Sequence, residues 1–179
     1  MSDKPKIATV WLGGCSGCHM SLLDLDEGLL DLAKAATITA SPITDIKEPP
    51  EVDVCLVEGA VCNTDNLEVL RKCRERAKVL VAFGDCACFG NIPAMRNFVS
   101  LEETLQRGYV DTESTASGEV PRGEELPALL EKVQPISYYV KVDANLPGCP
   151  PSAEAILFAV TELLSGRLPK PEGELLRYD

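Results

Sequence analysis

The chain has 179 residues, of which 17 are basic and 28 acidic, giving a formal net charge of −11. This length suits one domain with a core of its own, and the acidity argues against nucleic acid or an anionic membrane surface as a partner. No apolar run approaches the roughly 18 residues that span a bilayer, and the polar residues 1–6 carry no secretory signal. We therefore expect a single domain over residues 1–179, located in the cytoplasm, without membrane contact.

Near-continuous apolar runs alternate with amphipathic segments along the chain. The runs predict buried strands, and the segments, with apolar residues three and four apart, predict helices. In chain order the predicted elements are a strand over 6–12, a helix over 22–36, strands over 37–40 and 52–57, a helix over 66–77, a strand over 78–83, a helix over 101–107, a solvated loop over 111–125, a strand over 137–142 and a helix over 153–164.

Strands that are apolar throughout indicate a parallel sheet covered by helices on both faces. We predict an α/β domain with a doubly wound, mostly parallel sheet in three layers, flavodoxin-like, with strand order 2-1-3-4-5. In such sheets the loops at the carboxyl ends of the strands form the binding crevice. Functional residues are therefore expected in those loops.

The chain has eight cysteines. Thiols stay reduced in the cytoplasm, so metal ligands or catalytic thiols are favoured over a disulfide framework. Cys55 falls inside a predicted strand and Cys73 on the apolar face of a predicted helix, and both are predicted to be core residues. Spacing alone leaves open whether Cys62 and Cys88 are ligands. Six cysteines fall in or near loops at strand ends: Cys15, Cys18, Cys62, Cys86, Cys88 and Cys149.

The spacing of these cysteines favours an iron-sulfur cluster over zinc. Structural zinc sites usually take their ligands as two close pairs, whereas here one Cys-x2-Cys pair is followed by single cysteines more than sixty residues apart. A [4Fe-4S] cluster takes four thiolates, which loops from different strands can supply. Nearby glycines let backbone N–H groups approach sulfide, and Pro150 and Pro151 bring apolar rings without donors.

Three motifs carry a resemblance to a known family. The segments 11–20 (WLGGCSGCHM), 84–97 (GDCACFGNIPAMRN) and 146–151 (LPGCPP) resemble the cluster motifs of the small subunit of nickel-iron hydrogenases, in particular the short cytoplasmic NAD-reducing type. The resemblance covers nearly the whole chain. It implies that Cys15, Cys18, Cys86 and Cys149 are the cluster ligands.

The resemblance also implies a function. The chain would hold one proximal [4Fe-4S] cluster and relay electrons from a nickel-iron centre in a separate large subunit to diaphorase iron-sulfur and flavin subunits that contain FMN and reduce NAD. Longer members carry a second domain with two more clusters, so one cluster is expected here. No nucleophile–base constellation or GxGxxG fingerprint is found, and we expect no catalytic residue for hydrogen splitting in this chain.

An obligate heterodimer with the large subunit is expected, since an exposed cluster is oxygen-labile. The predicted contact is an apolar rim at the cluster edge. The acidic loop over 111–125 is either solvated or a second partner contact. Glu58, at the end of a predicted strand, is a candidate neighbour of the site. The predicted rim residues are Ile92, Pro93, Pro150 and Pro151.

Four alternatives stay open. The run Cys15-Ser-Gly-Cys18-His19 matches the attachment motif of a c-type haem, although such proteins are exported; otherwise His19 is a helix-start residue that could hydrogen-bond near a cluster. A related cluster subunit of a quinone-reducing, complex I-like oxidoreductase shares the Pro-Gly-Cys-Pro element but has adjacent cysteines at the first site. A flavodoxin-like FMN module without a cluster is the third. FMN as an additional cofactor is the fourth.

Overall fold

The computed structural model describes residues 4–176. Its strands are β1 Lys6–Trp11, β2 Thr37–Ala40, β3 Val52–Glu58, β4 Val61–Asn63, β5 Ala77–Phe83, β6 Leu129–Gln134 and β7 Ala144–Leu146. Five of them form a parallel sheet in the order β2-β1-β3-β5-β7. Because β5 and β7 are the fourth and fifth strands of this sheet, the predicted order 2-1-3-4-5 is confirmed.

Helices cover both faces of the sheet. Leu22, Ile156 and Val160 pack on one face, and Leu70 and Cys73 pack on the other. The three-layer architecture is therefore as predicted, and Cys55 and Cys73 lie in the core. The α-helices are α1 Gly17–Leu23, α2 Gly28–Ala35, α3 Thr64–Arg76, α4 Asp85–Phe89, α5 Leu101–Tyr109 and α6 Ala153–Leu164, and 3₁₀ helices span Ile92–Phe98, Ile136–Tyr138 and Gly173–Leu176.

Two predicted elements are wrong in detail. The strand expected over 137–142 is absent from that segment, which begins as the 3₁₀ helix after Pro135, and the fifth strand is the short β7 instead. The helix expected over 22–36 is divided into α1 and α2 by a turn in which Asp26 has a φ of 47°. A left-handed residue interrupts helical hydrogen bonding, so the apolar spacing continues across two separate helices.

A small antiparallel pair, β4 and β6, was not predicted. The 3₁₀ helix Ile92–Phe98 is hydrogen-bonded to β6. The Asn97 side-chain amide donates to the Val133 carbonyl and accepts from the Val133 N–H, each at 2.8 Å. The segment 111–125 contains no regular element and is mostly exposed, as expected of a solvated loop. Over residues 4–176, no helix has the length and apolar character needed to cross a bilayer.

Candidate metal centre

Four strands of the main sheet end level with one another. Trp11 of β1 pairs with Glu58 of β3, Glu58 with Phe83 of β5, and Phe83 with Leu146 of β7. The loops that follow β1, β5 and β7 therefore leave the sheet at the same edge. These are the three loops that carry Cys15 and Cys18, Cys86, and Cys149.

The first loop turns sharply between its two cysteines. Ser16 has a φ of 64°, α1 begins at Gly17, and the Gly17 N–H donates to Cys15 Sγ at 3.4 Å. Cys15 is exposed, whereas Cys18 lies in the first turn of α1 and is buried. The pair thus presents one thiol to the surface and one to the interior of the same edge.

Gly84 makes the space for the buried thiol. A Cβ at this position would lie 2.2 Å from Cys18 Sγ, and the Gly84 φ of +83° is one that L side chains rarely adopt. The loop after β5 therefore passes directly against Cys18, and only glycine permits that approach.

A reciprocal pair of hydrogen bonds joins the second and third loops. The Asp85 N–H donates to the Gly148 carbonyl at 2.9 Å, and the Gly148 N–H donates to Asp85 Oδ1 at 2.8 Å. In addition, the Asn91 side-chain amide donates to Cys149 Sγ at 3.4 Å. These contacts hold the backbone next to Cys86 beside the backbone next to Cys149.

The electrostatics of the thiols show that the four cysteines share one environment. Burial raises the pKa of Cys18 well above its usual range, and the charges of Glu58, Cys86, Cys15 and Cys149 raise that pKa further. Burial also raises the pKa of Cys86 to about 11, again with contributions from Cys149 and Cys15. The thiolate forms of Cys18 and Cys86 are therefore disfavoured in the absence of a bound cation, and bound iron offsets such a penalty.

Cys88 and Cys62 do not join this group. Cys88 is buried in the core, where its thiol donates to the Ala82 carbonyl at 3.6 Å and burial raises its pKa to about 12. Cys62 donates to the Ala60 carbonyl at 3.7 Å. A Cβ added to Gly13 would lie 2.2 Å from Cys62 Sγ, so this thiol packs under the Gly13 backbone.

Glu58 and His19 form a buried pair at the same edge. Glu58 Oε2 accepts from the His19 backbone N–H at 3.0 Å, and His19 Nδ1 contacts the same oxygen. Among the described residues, His19 Nε2 is the buried side-chain nitrogen that has no hydrogen-bond partner. The expectation that Glu58 lies close to the cysteines is confirmed, since its charge raises the pKa of both Cys18 and Cys86.

The donor set suits a cluster. Within residues 4–176, no three His, Cys, Asp or Glu side chains gather closely enough to bind a single metal ion. An iron-sulfur cluster has different requirements, because it takes four thiolates at separate corners and gains from N–H groups directed at sulfur. The four cysteines on three loops, with the Gly17 and Asn91 donors, meet those requirements.

Exposed apolar side chains lie next to this edge. Ile92 and Pro150 are exposed, as predicted, and Pro93 is half-buried. Pro151 is wrong as a rim residue: it is buried, with its carbonyl accepting from Ser21 Oγ at 2.6 Å. Larger exposed side chains on α4 and the following 3₁₀ helix were not predicted, because short elements give no periodic signal. They are Phe89, Met95 and Phe98.

A family model described as "NADH ubiquinone oxidoreductase, 20 Kd subunit" matches residues 15–163. This match covers most of the chain and includes all four cysteines of the edge. The chain belongs to this family. Hydrogenase subunits are among the relatives of the chain. The NAD-reducing hydrogenase HoxS subunit delta of Cupriavidus necator is 39% identical over 180 residues, covering 98% of this chain and 86% of the relative.

Other relatives are longer than this chain. A subunit of the F420-non-reducing hydrogenase of Methanothermobacter thermautotrophicus is 39% identical over 170 residues, which make up 93% of this chain and 55% of the relative. Across four relatives of this kind the chain spans between 55% and 60% of the relative's length.

A solved structure agrees over the full fold. A chain in the crystal structure of an NAD⁺-reducing [NiFe]-hydrogenase in the H2-reduced state superposes with a TM-score of 0.94 at 48% identity, covering 98% of this chain and 99% of that chain. The resemblance to the small subunit of NAD-reducing hydrogenases, drawn from the three cysteine motifs, is confirmed.

Proposed function

We propose that this chain is the electron-relay subunit of an NAD-reducing [NiFe] hydrogenase. In this proposal Cys15, Cys18, Cys86 and Cys149 hold one proximal [4Fe-4S] cluster. The observation that carries it is the convergence of these thiols, from three separate loops, on one edge where four strands end level. The 48% identity to a chain of an NAD⁺-reducing [NiFe]-hydrogenase supports it.

The cluster, when bound, accepts and releases single electrons. The chain's own residues set its surroundings. The Gly17 N–H and the Asn91 amide donate to Cys15 Sγ and Cys149 Sγ, and such hydrogen bonds stabilise the more reduced, more negative state. Gly84 leaves room for Cys18, so one side of the site is closed by protein backbone rather than water.

The partners belong to the same proposal. Hydrogen would be oxidised at a nickel-iron centre in a large subunit, and electrons would pass on to diaphorase subunits that carry FMN and iron-sulfur clusters and reduce NAD. Cys15 and Cys149 are exposed, as are Phe89 and Ile92 on either side of Asn91, which donates to Cys149 Sγ, so the edge is suited to burial under another subunit. The cytoplasmic location stays a prediction.

The ligand set is tested in the purified native complex. Wild type should show iron and sulfide for one [4Fe-4S] cluster in this chain and an electron paramagnetic resonance (EPR) signal on reduction. Cys86→Ser and Cys149→Ser should lose that signal. Cys88→Ser, two residues from Cys86, is the matched control and should keep it, since its thiol faces the Ala82 carbonyl. An intact signal in Cys86→Ser would refute the assignment.

The family model's description makes a quinone-reducing, complex I-like subunit the second candidate. The separation of Cys15 from Cys18 by two residues and the hydrogenase relatives favour the first. Hydrogen-dependent reduction of NAD by the complex, without reduction of a soluble quinone, would decide for hydrogenase.

An absorption spectrum distinguishes a c-type haem from an iron-sulfur cluster. A sharp Soret band would indicate haem, and a broad shoulder would indicate an iron-sulfur cluster.

A further inference from the structure

The central strand of the sheet contributes no cysteine to the edge but ends in a buried carboxylate. Glu58 is 2% exposed and His19 is 1% exposed. A carboxylate is costly to bury unless it is paired or hydrogen-bonded. Glu58 meets that requirement through His19, and its placement has a specific geometric effect on the cysteine loop.

Glu58 bonds to the peptide unit that carries Cys18. The amide that donates to Glu58 Oε2 at 3.0 Å belongs to the bond joining Cys18 to His19. The His19 ring meets the same oxygen through Nδ1, so one carboxylate oxygen holds both the backbone and the side chain of the residue after the cysteine. The Ser16 side chain makes no hydrogen bond to this turn. Cys15 Sγ accepts from the Gly17 N–H at the start of the turn, and Glu58 holds its far end at His19.

The carboxylate also lies under the other half of the loop. A Cβ at Gly14 would be 3.8 Å from Glu58 Oε1, and Gly14 precedes Cys15 directly. On the far side, the His19 ring packs edge-on against Phe83, with centroids 6.0 Å apart. Phe83 is the strand partner of Glu58 and precedes Gly84, which houses Cys18 Sγ. The Glu58–His19 pair therefore contacts the ends of β1, β3 and β5 and the loop that carries Cys15 and Cys18.

We propose that Glu58 is a positioning residue for the metal centre: through its bonds to the backbone and ring of His19, it sets the placement of Cys18 relative to the other three thiols. This inference rests on the proposed function, because it concerns the cluster assigned there. It assigns Glu58 no contact with the cluster. Its effect is on the geometry, and hence the electronic environment, of one ligand.

The test compares variants in the purified holo complex, read out by iron content, EPR g-values and midpoint potential of the cluster. Glu58→Gln keeps an oxygen that accepts both His19 contacts and should retain wild-type iron content and g-values. Glu58→Ala removes both contacts and should lose iron or shift the g-values and potential. His19→Ala removes only the ring contact, and its g-values should shift less.

Thr9→Val is the matched control, because it removes another buried polar contact of the sheet, the 2.9 Å hydrogen bond from Thr9 Oγ1 to Ser41 Oγ. It should lower the melting temperature without moving the EPR signal. If Glu58→Ala fails to assemble, the g-values of Glu58→Gln and His19→Ala are compared. A shift in His19→Ala with wild-type values in Glu58→Gln supports the inference, and equal shifts in the two variants overturn it. Unchanged g-values and potential in Glu58→Ala, or equal damage in Glu58→Gln and Glu58→Ala, would overturn the inference. Absence of a cluster signal in wild type would instead refute the proposed function.

Discussion

The two edges of the parallel sheet are built from different chemistry. At the amino edge, charged side chains pair in solvent: Lys78 bonds Asp53 at 2.7 Å, and Arg76 bonds Glu48 at 2.7 Å. At the carboxyl edge, burial and neighbouring negative charges raise the pKa of Cys18 and Cys86, and Gly84 allows its loop to pass against Cys18. The charged side chains of the amino edge pair with one another, whereas the thiols of the carboxyl edge are the ligands of the proposed cluster.

This difference has a practical meaning for substitutions. Solvent screens the paired charges of the amino edge, so each pair contributes little free energy. At the carboxyl edge the loops pack closely against one another and are joined by hydrogen bonds to backbone atoms. Such packing tolerates little change in side-chain size. Substitutions at the two edges should therefore differ both in cost and in their effect on iron content.

The largest effect is expected from Gly84→Ala. The new Cβ would lie 2.2 Å from Cys18 Sγ, and the φ of +83° adds backbone strain. Together these should lower the free energy of unfolding by roughly 3 kcal/mol. Denaturant unfolding gives this value, and iron analysis should show a loss of the cluster. A variant with normal iron content would mean that the two loops do not need to meet at Cys18.

A smaller effect is expected from Asp85→Ala at the same edge. It removes the acceptor of the Gly148 N–H at 2.8 Å and so loosens the loop that carries Cys149. The expected loss is about 2 kcal/mol, the usual contribution of a hydrogen bond to a charged group. Asp85→Asn keeps an acceptor oxygen and should recover most of the stability and the iron content. Equal behaviour of the two variants would contradict this account.

Asp53→Ala is the counterpart at the amino edge. Asp53 also accepts a backbone N–H, that of Lys6 at 2.8 Å, but in solvent, so about 1 kcal/mol should be lost and iron content should be normal. The hydrogen bond from Lys78, then that from the Lys6 backbone, lowers the pKa of Asp53 below its usual value.

The sign of the pH effect follows from that shift. A carboxyl with a lowered pKa in the folded state stabilises the fold above its unfolded pKa of 3.8, and this contribution is lost as the pH falls through the folded pKa. The stability difference between wild type and Asp53→Ala should therefore be constant from pH 8 to about 5 and shrink below about 4. Unfolding curves over this range test it, and a difference that grows in acid would be the wrong sign.

The smallest effect is expected from Gly108→Ala in α5. No atom lies within 4 Å of the position its Cβ would take, so alanine should stabilise the helix by about 0.5 kcal/mol. A small rise in melting temperature with unchanged iron would show that glycine matters at Gly84 because of its surroundings. A loss of iron in Gly108→Ala would mean that Gly84 is not special in its effect on iron content.

Much of the fold follows from the sequence because the main strands are strongly apolar. The segments 54–57 and 80–83 are buried on both faces, and the order of their strands in the sheet was predicted. The fifth strand was misplaced because β7 has three residues and includes the exposed Asn145, too short a pattern to detect. The β4–β6 pair was not predicted because β4 has three residues and its partner strand lies far along the chain, with Val61 opposite Gln134.

The candidate site was predicted less completely. Residue spacing predicted that the cysteines lie at this edge, but it did not show whether Cys86 or Cys88 is the ligand. That assignment came from the resemblance to the hydrogenase family. The structure supplies a physical reason: residues two apart on a helical turn point in different directions, and Cys88 turns into the core. The contact between His19 and Glu58 could not be read from the sequence, because it joins residues 39 positions apart.

The level strand ends also constrain the order of events during synthesis. Cys15 and Cys149 are brought together only when β7, the last strand of the sheet in chain order, has paired with β5. A ribosome that has released β1, β3 and β5 has not yet made the fourth thiol available. In the proposed function, iron and sulfide can therefore meet a complete set of thiols only after Cys149 has been translated.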